Sequence, residues 1–451
     1  MKAILELAKA LAAGTTTSEE IADEALAAAT RPDGEGKRVF ITLDADKVRA
    51  QARSTDTLRK AGIVPSPLAG LPISIKDLFD VAGEVTSAGS VALRNAAPAT
   101  ADSPAIARLR AAGAVLVGRT NLTEFAYSGL GINPHYDTPR NPYDRATGRV
   151  PGGSTAGGAV SVTDGMAVIG LGTDTGGSTR IPAALCGIVG YKPSKFRIPT
   201  DKVFPLSMSL DSIGPMGPSV ACCALTDAVL AGEPPIVPEP ATLAGLRLAI
   251  PKTLVLDELD EHVGNDFRRA LDRLSKAGAR LAEIALAPFG EMNDINKPGG
   301  LSPMEAYYVH RDLLERDGER YDPRVRLRIL GGAKATAVDY LWTLDRRRDW
   351  MARVSRELSA YDAFIMPTVA CIAPPIAPLI ADETAYRRTN ARVLRNTNLI
   401  NFLDGCALSI PCHEPGGAPT GLMLCGLNAT DARIFSIGMA IETLFERSRR
   451  A

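Results

Sequence analysis

The period of the apolar positions changes along the chain. Leu71 to Ile75 alternates and predicts a strand, and Ala114 to Val117 predicts the next. Between them, Ser103 followed by Pro104 makes a helix cap with proline at the first helical position, and Gly113 stops that helix. A strand is predicted at Met166 to Gly172, a helix after Ser178, and extended chain at Ile188 to Lys192. Leu246 to Ile250 returns to a strand pattern. Val263, Phe267, Leu271 and Leu274 then share one helical face, which ends at Gly278. Short strands at Phe364 to Met366, Ala407 to Ile410 and Leu422 to Leu424 precede a last helix from Asp431 to Arg447. At the other end, Met1 to Gly14 patterns as an amphipathic helix, and Thr17 with Glu20 is a capping box opening a helix through Ala27.

Strands alternating with helices predict an α/β fold: a mixed, mostly parallel sheet covered by helices on both faces. The proline-rich stretch 231–244 reads as a surface connection. With no internal repeat, the expectation is one large domain over residues 1–451, with its chemistry in residues 60–220. Residues 288–348 are richer in charge and loop signals, and predict a helical excursion walling a pocket.

Charge narrows the partners. Lys plus Arg and Asp plus Glu are both 51. A neutral chain has no built-in attraction to nucleic acid or to an acidic membrane, so the expected partner is a small molecule. The 7 cysteines are scattered without a C-x-x-C pair, which predicts reduced thiols in a cytoplasm and no zinc site. Glu6 and Lys9 interrupt the N-terminal apolar stretch, unlike a secretory signal, and no stretch is apolar enough to span a bilayer.

Three segments carry candidate chemistry: Leu71-Pro72-Ile73-Ser74-Ile75-Lys76-Asp77, Pro151 through Gly158, and Gly172-Thr173-Asp174-Thr175-Gly176-Gly177-Ser178-Thr179-Arg180. In the third, a serine lies between a predicted strand and a predicted helix, where a sheet opens to a crevice. Gly176 and Gly177 let the backbone turn so that the N–H groups of Thr175, Gly176, Gly177 and Ser178 converge, as an oxyanion requires. Lys76 ends an apolar strand. Burial there would favour its neutral form, which can act as a general base. Alone, these segments do not exclude a plain glycine-rich turn or a surface lysine paired with Asp77. Nucleotide-binding readings fail: Ala159 stands where a P-loop needs lysine, and Thr175 where a dinucleotide fingerprint needs its third glycine. None of the 4 histidines lies in a recognisable triad motif.

Taken in order, the segments resemble the amidase signature family. Flanking stretches agree: Gly118 to Asn121, Glu124 to Ala126, Cys186-Gly187, Gly190 to Pro193, Asp211 to Pro215, Met366 to Thr368 and Asn401 to Pro411. The likeness runs from about residue 5 to 445. It implies a Ser-cisSer-Lys triad of Ser178, Ser154 and Lys76, with a cis peptide between Gly153 and Ser154. It implies an amidohydrolase that forms an acyl-enzyme on Ser178 and uses no metal or cofactor. Asp174 and Arg180 would hold the nucleophile loop by charge-assisted hydrogen bonds. A homodimer is implied only at family level.

The sequence departs from the family where Thr155-Ala156 replaces Ser-Gly beside Ser154. Tyr127, Gly129 and Thr155 are candidates for the substrate side, with Tyr307 and Trp342 as further aromatic candidates. The competing readings are a transamidase component resembling the A subunit of aminoacyl-tRNA amidotransferase, a carbamate or ester hydrolase, and a binding protein that lost activity. Ser194 to Pro199 lacks the Tyr-Gly-Arg-Val-Ser-like stretch usual in that transamidase component.

Overall fold

In the computed structural model, which describes residues 1–450 and side chains through residue 447, one sheet of eleven strands runs through the molecule. The strands are β1 (Phe40–Leu43), β2 (Pro72–Lys76), β3 (Val115–Thr120), β4 (Ile169–Asp174), β5 (Val189–Lys192), β6 (Ser212–Gly217), β7 (Arg247–Pro251), β8 (Arg280–Ile284), β9 (Ala363–Pro367), β10 (Cys406–Pro411) and β11 (Gly421–Gly426). Their spatial order is β1-β3-β2-β4-β6-β5-β10-β11-β9-β7-β8.

The sheet is mixed, as expected, but antiparallel pairs outnumber parallel ones. Only β2–β3, β2–β4, β7–β8 and β7–β9 are parallel. The other six pairs are antiparallel. The reason lies in the connections. Residues 412–420 are too few to carry a crossover, so β11 must return beside β10. Residues 193–211 contain no helix, and β6 likewise folds back against β5.

Helices cover both faces, and β11 shows how. Leu422 and Leu424 pack with Val220, Phe267 and Ile441, from the helices Val220–Ala231, Glu261–Lys276 and Asp431–Arg450. Met423 and Cys425 point the other way, onto Trp350 and Phe402 of Ala337–Leu358 and Glu383–Phe402. Each fully buried side chain of this size contributes about 1.5–3 kcal/mol relative to exposure. The helix Ala156–Thr163 lies close against β4, and that approach explains a glycine. A Cβ on Gly170 would sit 2.5 Å from the Gly158 carbonyl oxygen. Residues 288–348 are largely helical, in Met292–Ile295, Leu301–Asp317, Pro323–Leu330 and most of Ala337–Leu358.

Candidate active site

The parallel pairing of β2 with β4 ends both strands at one edge. The register Ile75↔Leu171 places Lys76 beside Thr173. Because β2 lies between β3 and β4 and is buried along its length, Lys76 cannot reach water. Its Nζ donates to Ser154 Oγ and Thr173 Oγ1, both at 2.8 Å. Burial drives the amine's pKa down to about 7, against the opposing pull of Asp174 and Asp211. Asp77 is not its partner: that carboxylate accepts from Arg119, Ser87 and the Gly89 N–H.

Ser154 is held by its backbone. The Gly153–Ser154 peptide is cis. Gly153 N–H donates to Gly129 O at 2.8 Å, and Ser154 O accepts from Thr123 N–H at 3.1 Å. The next residue ties the two serine loops together, since Thr155 N–H donates to Ser178 O at 3.3 Å.

Ser178 lies in the loop from β4 to the helix Arg180–Cys186 and lines a cavity of about 320 Å³. Its Oγ makes no hydrogen bond among the described residues, whereas Lys76 and Ser154 are in direct contact. Of the four N–H groups expected to converge here, Gly177's donates to Asp174 Oδ1 at 2.8 Å. Thr175, Gly176 and Ser178 keep N–H groups with no acceptor among the described residues. Three of the four expected N–H groups are therefore unengaged among the described residues. The reason is the turn itself: at φ 133° Gly177 folds back toward the end of β4, and a Cβ there would lie 2.1 Å from Thr397 Oγ1.

Asp174 and Arg180 anchor this loop, both wholly buried. Arg180 donates to Asp174 through Nη2 at 2.9 Å and Nε at 3.1 Å. Asp174 also accepts from Thr179 Oγ1 at 2.9 Å and Asn401 Nδ2 at 2.8 Å. Burial alone would raise its pKa, but Arg180, Lys192 and Asn401 outweigh that and hold the carboxyl well below the usual range. Thr397 Oγ1 donates to Gly176 O at 2.6 Å, pinning the loop to the helix Glu383–Phe402. Thr175 Oγ1 donates to Asp211 at 2.5 Å.

On the substrate side, Tyr127 lines the cavity, together with Arg328, Asn293, Asn296 and Asn398. Burial raises the Tyr127 phenol to about 12, and its hydroxyl has no partner among the described residues. The Arg328 guanidinium lies 4.3 Å from its ring centre. Gly129 and Thr155 do not line the cavity. Gly129 N–H is spent on Asn390 Oδ1 at 2.8 Å. Thr155 faces the sheet, with its hydroxyl 3.4 Å from Thr173 O. The Thr155-Ala156 departure is thus absorbed in packing behind the cavity wall. Tyr307 and Trp342 also lie away from it: Tyr307 lines another hollow, and Trp342 is on the surface.

Sequence reasoning gives no role to Thr173, Thr397, Asn398 or Arg328. Thr397 and Asn401, polar residues four apart in the apolar end of a helix, are the available signal. Among the described residues no three His, Cys, Asp or Glu side chains are grouped to hold a metal ion, and no helix is long and apolar enough to cross a membrane.

Known proteins resemble this chain in sequence and fold. The Amidase family matches residues 34–435. The 2-amino-5-chloromuconic acid deaminase of Comamonas testosteroni is 37% identical, covering 90% of this chain and 88% of its own. The A subunit of the glutamyl-tRNA(Gln) amidotransferase from Roseiflexus sp. (strain RS-1) is 34% identical over 96% of this chain and 94% of its own. A crystal structure of an amidase superimposes with a TM-score of 0.89 at 31% identity, covering 98% of this chain and all of that one. The chain belongs to the Amidase family and is an enzyme acting on amide C–N bonds.

Proposed function

We propose that this enzyme hydrolyses a small carboxamide through an acyl-enzyme on Ser178, with Ser154 as proton relay and neutral Lys76 as base. The observation that carries the reading is the buried Lys76 amine, 2.8 Å from Ser154 Oγ and depressed to about 7. Ser178 Oγ adds to the carbonyl carbon as its proton passes through Ser154 Oγ to the Lys76 amine. This step needs Ser178 Oγ to turn toward Ser154, and catalytic hydrogen bonds commonly tighten only with substrate bound. The oxyanion rests on the N–H groups of Thr175, Gly176 and Ser178, each worth on the order of 3 kcal/mol in such a site. The C–N bond then breaks, the relay returns the proton to the leaving nitrogen, and water releases the acid.

The test is a panel of aliphatic, aryl and carbamate amides run with the wild type and Ser178→Ala. The variant should lose at least about 10,000-fold in kcat on every substrate the wild type cleaves. Near-normal rates would move the nucleophile elsewhere.

A second reading is a transamidase component, favoured by the amidotransferase relatives that align over 96% of this chain. Release of ammonia from a free amide by the isolated chain favours the hydrolase. A cytoplasmic location and a homodimer complete the proposal. The first is supported by seven buried cysteines outside any disulfide, and a mass measurement in solution tests the second.

A further inference from the structure

Beside the cavity of Ser178 lies a second chamber of about 740 Å³. The two share Met292, Asn293, Arg328, Leu394 and Asn398 in their walls, so they adjoin. Six arginines line the chamber: Arg324, Arg328, Arg387, Arg388, Arg392 and Arg395. Arg324 and Arg387 share Glu383, and Arg392 pairs with Asp260 at 2.7 Å. Arg328, Arg388 and Arg395 have no carboxylate within 4.0 Å among the described residues. Glu258 is the one other acid on the wall.

The arrangement is electrostatically uphill without a ligand. Arg388, Arg392 and Arg395 stand at i, i+4 and i+7 on one helix, where like charges repel. Arg395 Nη2 and Arg392 Nε are buried without a hydrogen-bond partner among the described residues. Native proteins rarely leave such donors unsatisfied. Burial lowers the pKa of Arg395, opposed by Asp257 and reinforced by Arg392. An anion seated between these groups would relieve both the repulsion and the orphaned donors.

We infer that this chamber binds a carboxylate at the distal end of the substrate, so that the enzyme acts on anionic amides such as half-amides of dicarboxylic acids. The assignment of the ligand as substrate rests on the hydrolysis proposed at Ser178. Arg328, in both walls, marks the neck between the scissile amide and the charged tail. The chamber's size suits a small molecule rather than a macromolecular chain.

Binding rather than turnover tests this. The probes are glutarate and its neutral counterpart glutaramide, titrated by calorimetry into Ser178→Ala protein, which leaves glutaramide intact. Glutarate should bind more tightly. Its affinity should fall about tenfold when Arg388→Gln and Arg395→Gln are added, with glutaramide unchanged. Raising the ionic strength from about 0.01 M to about 0.15 M should weaken glutarate alone. Equal affinities for the two probes, or a glutarate preference that survives both substitutions, overturns the inference. Arg388 is exposed and has no carboxylate partner among the described residues, so Arg388→Gln alone decides the matter if the double change unfolds the helix. About threefold weaker glutarate binding supports the inference, and none overturns it. Hydrolysis is read separately. A wild type that prefers glutarate yet frees no ammonia from any amide overturns the Ser178 reading alone, and turnover without charge preference overturns this one alone.

Discussion

Replacing Lys76 with methionine separates the lysine's ionisation from its shape. In the folded protein the amine titrates at about 7, against 10.5 for an unburied lysine. Between those values the unfolded chain binds more protons than the folded one, so wild-type stability must rise with pH across that window. Below the folded value both states are protonated and the full cost of burying the charge is present. A shift of this size corresponds to about 4–5 kcal/mol of destabilisation, of which about 2 kcal/mol should be relieved between about pH 7 and about pH 9. Lys76→Met has no such group. It forfeits the hydrogen bonds to Ser154 and Thr173, at about 1–3 kcal/mol for each orphaned hydroxyl, but that loss does not vary with pH. The assay is urea unfolding of both proteins at the two pH values. The wild type should gain about 2 kcal/mol on the variant between about pH 7 and about pH 9. In parallel, the wild type's kcat/KM for a neutral amide should fall on the acid side with an apparent pKa of about 7. A stability difference flat with pH would mean that the amine titrates alike folded and unfolded. The proton route through Ser154 would then lose its base.

Two other perturbations probe the frame. Asp174→Asn leaves the buried Arg180 guanidinium without its countercharge, and should cost about 3–5 kcal/mol in urea unfolding and collapse kcat by releasing the nucleophile loop. A loss under about 1 kcal/mol would show the pair to be dispensable. Gly170→Ala puts a Cβ 2.5 Å from Gly158 O. It should lower stability by about 1–3 kcal/mol with a matching drop in the thermal midpoint, and an unchanged midpoint would contradict the close seating of Ala156–Thr163 on β4.

The legible strands are those whose apolar pattern is uninterrupted. β2, β3, β4, β5, β7, β9, β10 and β11 fall on segments that read as extended. β6 does not read as a strand, for a physical reason. Ser212–Gly217 carries Pro215 and two glycines, signals that ordinarily argue against an interior strand, yet Pro215 lies opposite Leu171 in the middle of the sheet. β1 and β8 stand at the two ends of the sheet, where pairing on one side leaves short strands without a fully buried residue and so without a clear alternation. The excess of antiparallel pairs is hidden for another reason. Direction depends on which strands become neighbours, and the local period of a strand is the same either way.

At the site, the split between legible and hidden follows where each constraint resides. Lys76 can be placed in a buried setting because its own strand is apolar, and the resemblance supplies Ser154 and Ser178. The supporting residues come from the helix Glu383–Phe402, two hundred residues downstream, where the apolar pattern predicts no helix. Its inner face explains why. Asn390 accepts from Ser128 Oγ at 2.9 Å and Gly129 N–H, Thr397 donates to Gly176 O, and Asn401 bridges Asp174 and Arg180. All three are buried, at positions where a helix packed only for stability would carry leucine or valine. Each polar residue that braces the nucleophile loop removes one apolar beat from the period that would have revealed the helix. Burying them is tolerable because each is hydrogen-bonded: Asn390 and Thr397 to loop residues, and Asn401 to the residues at the two ends of the Ser178 loop, Asp174 closing β4 and Arg180 opening the next helix. The demand that orders the loop around Ser178 is thus the same one that erases the helix from the hydrophobic pattern.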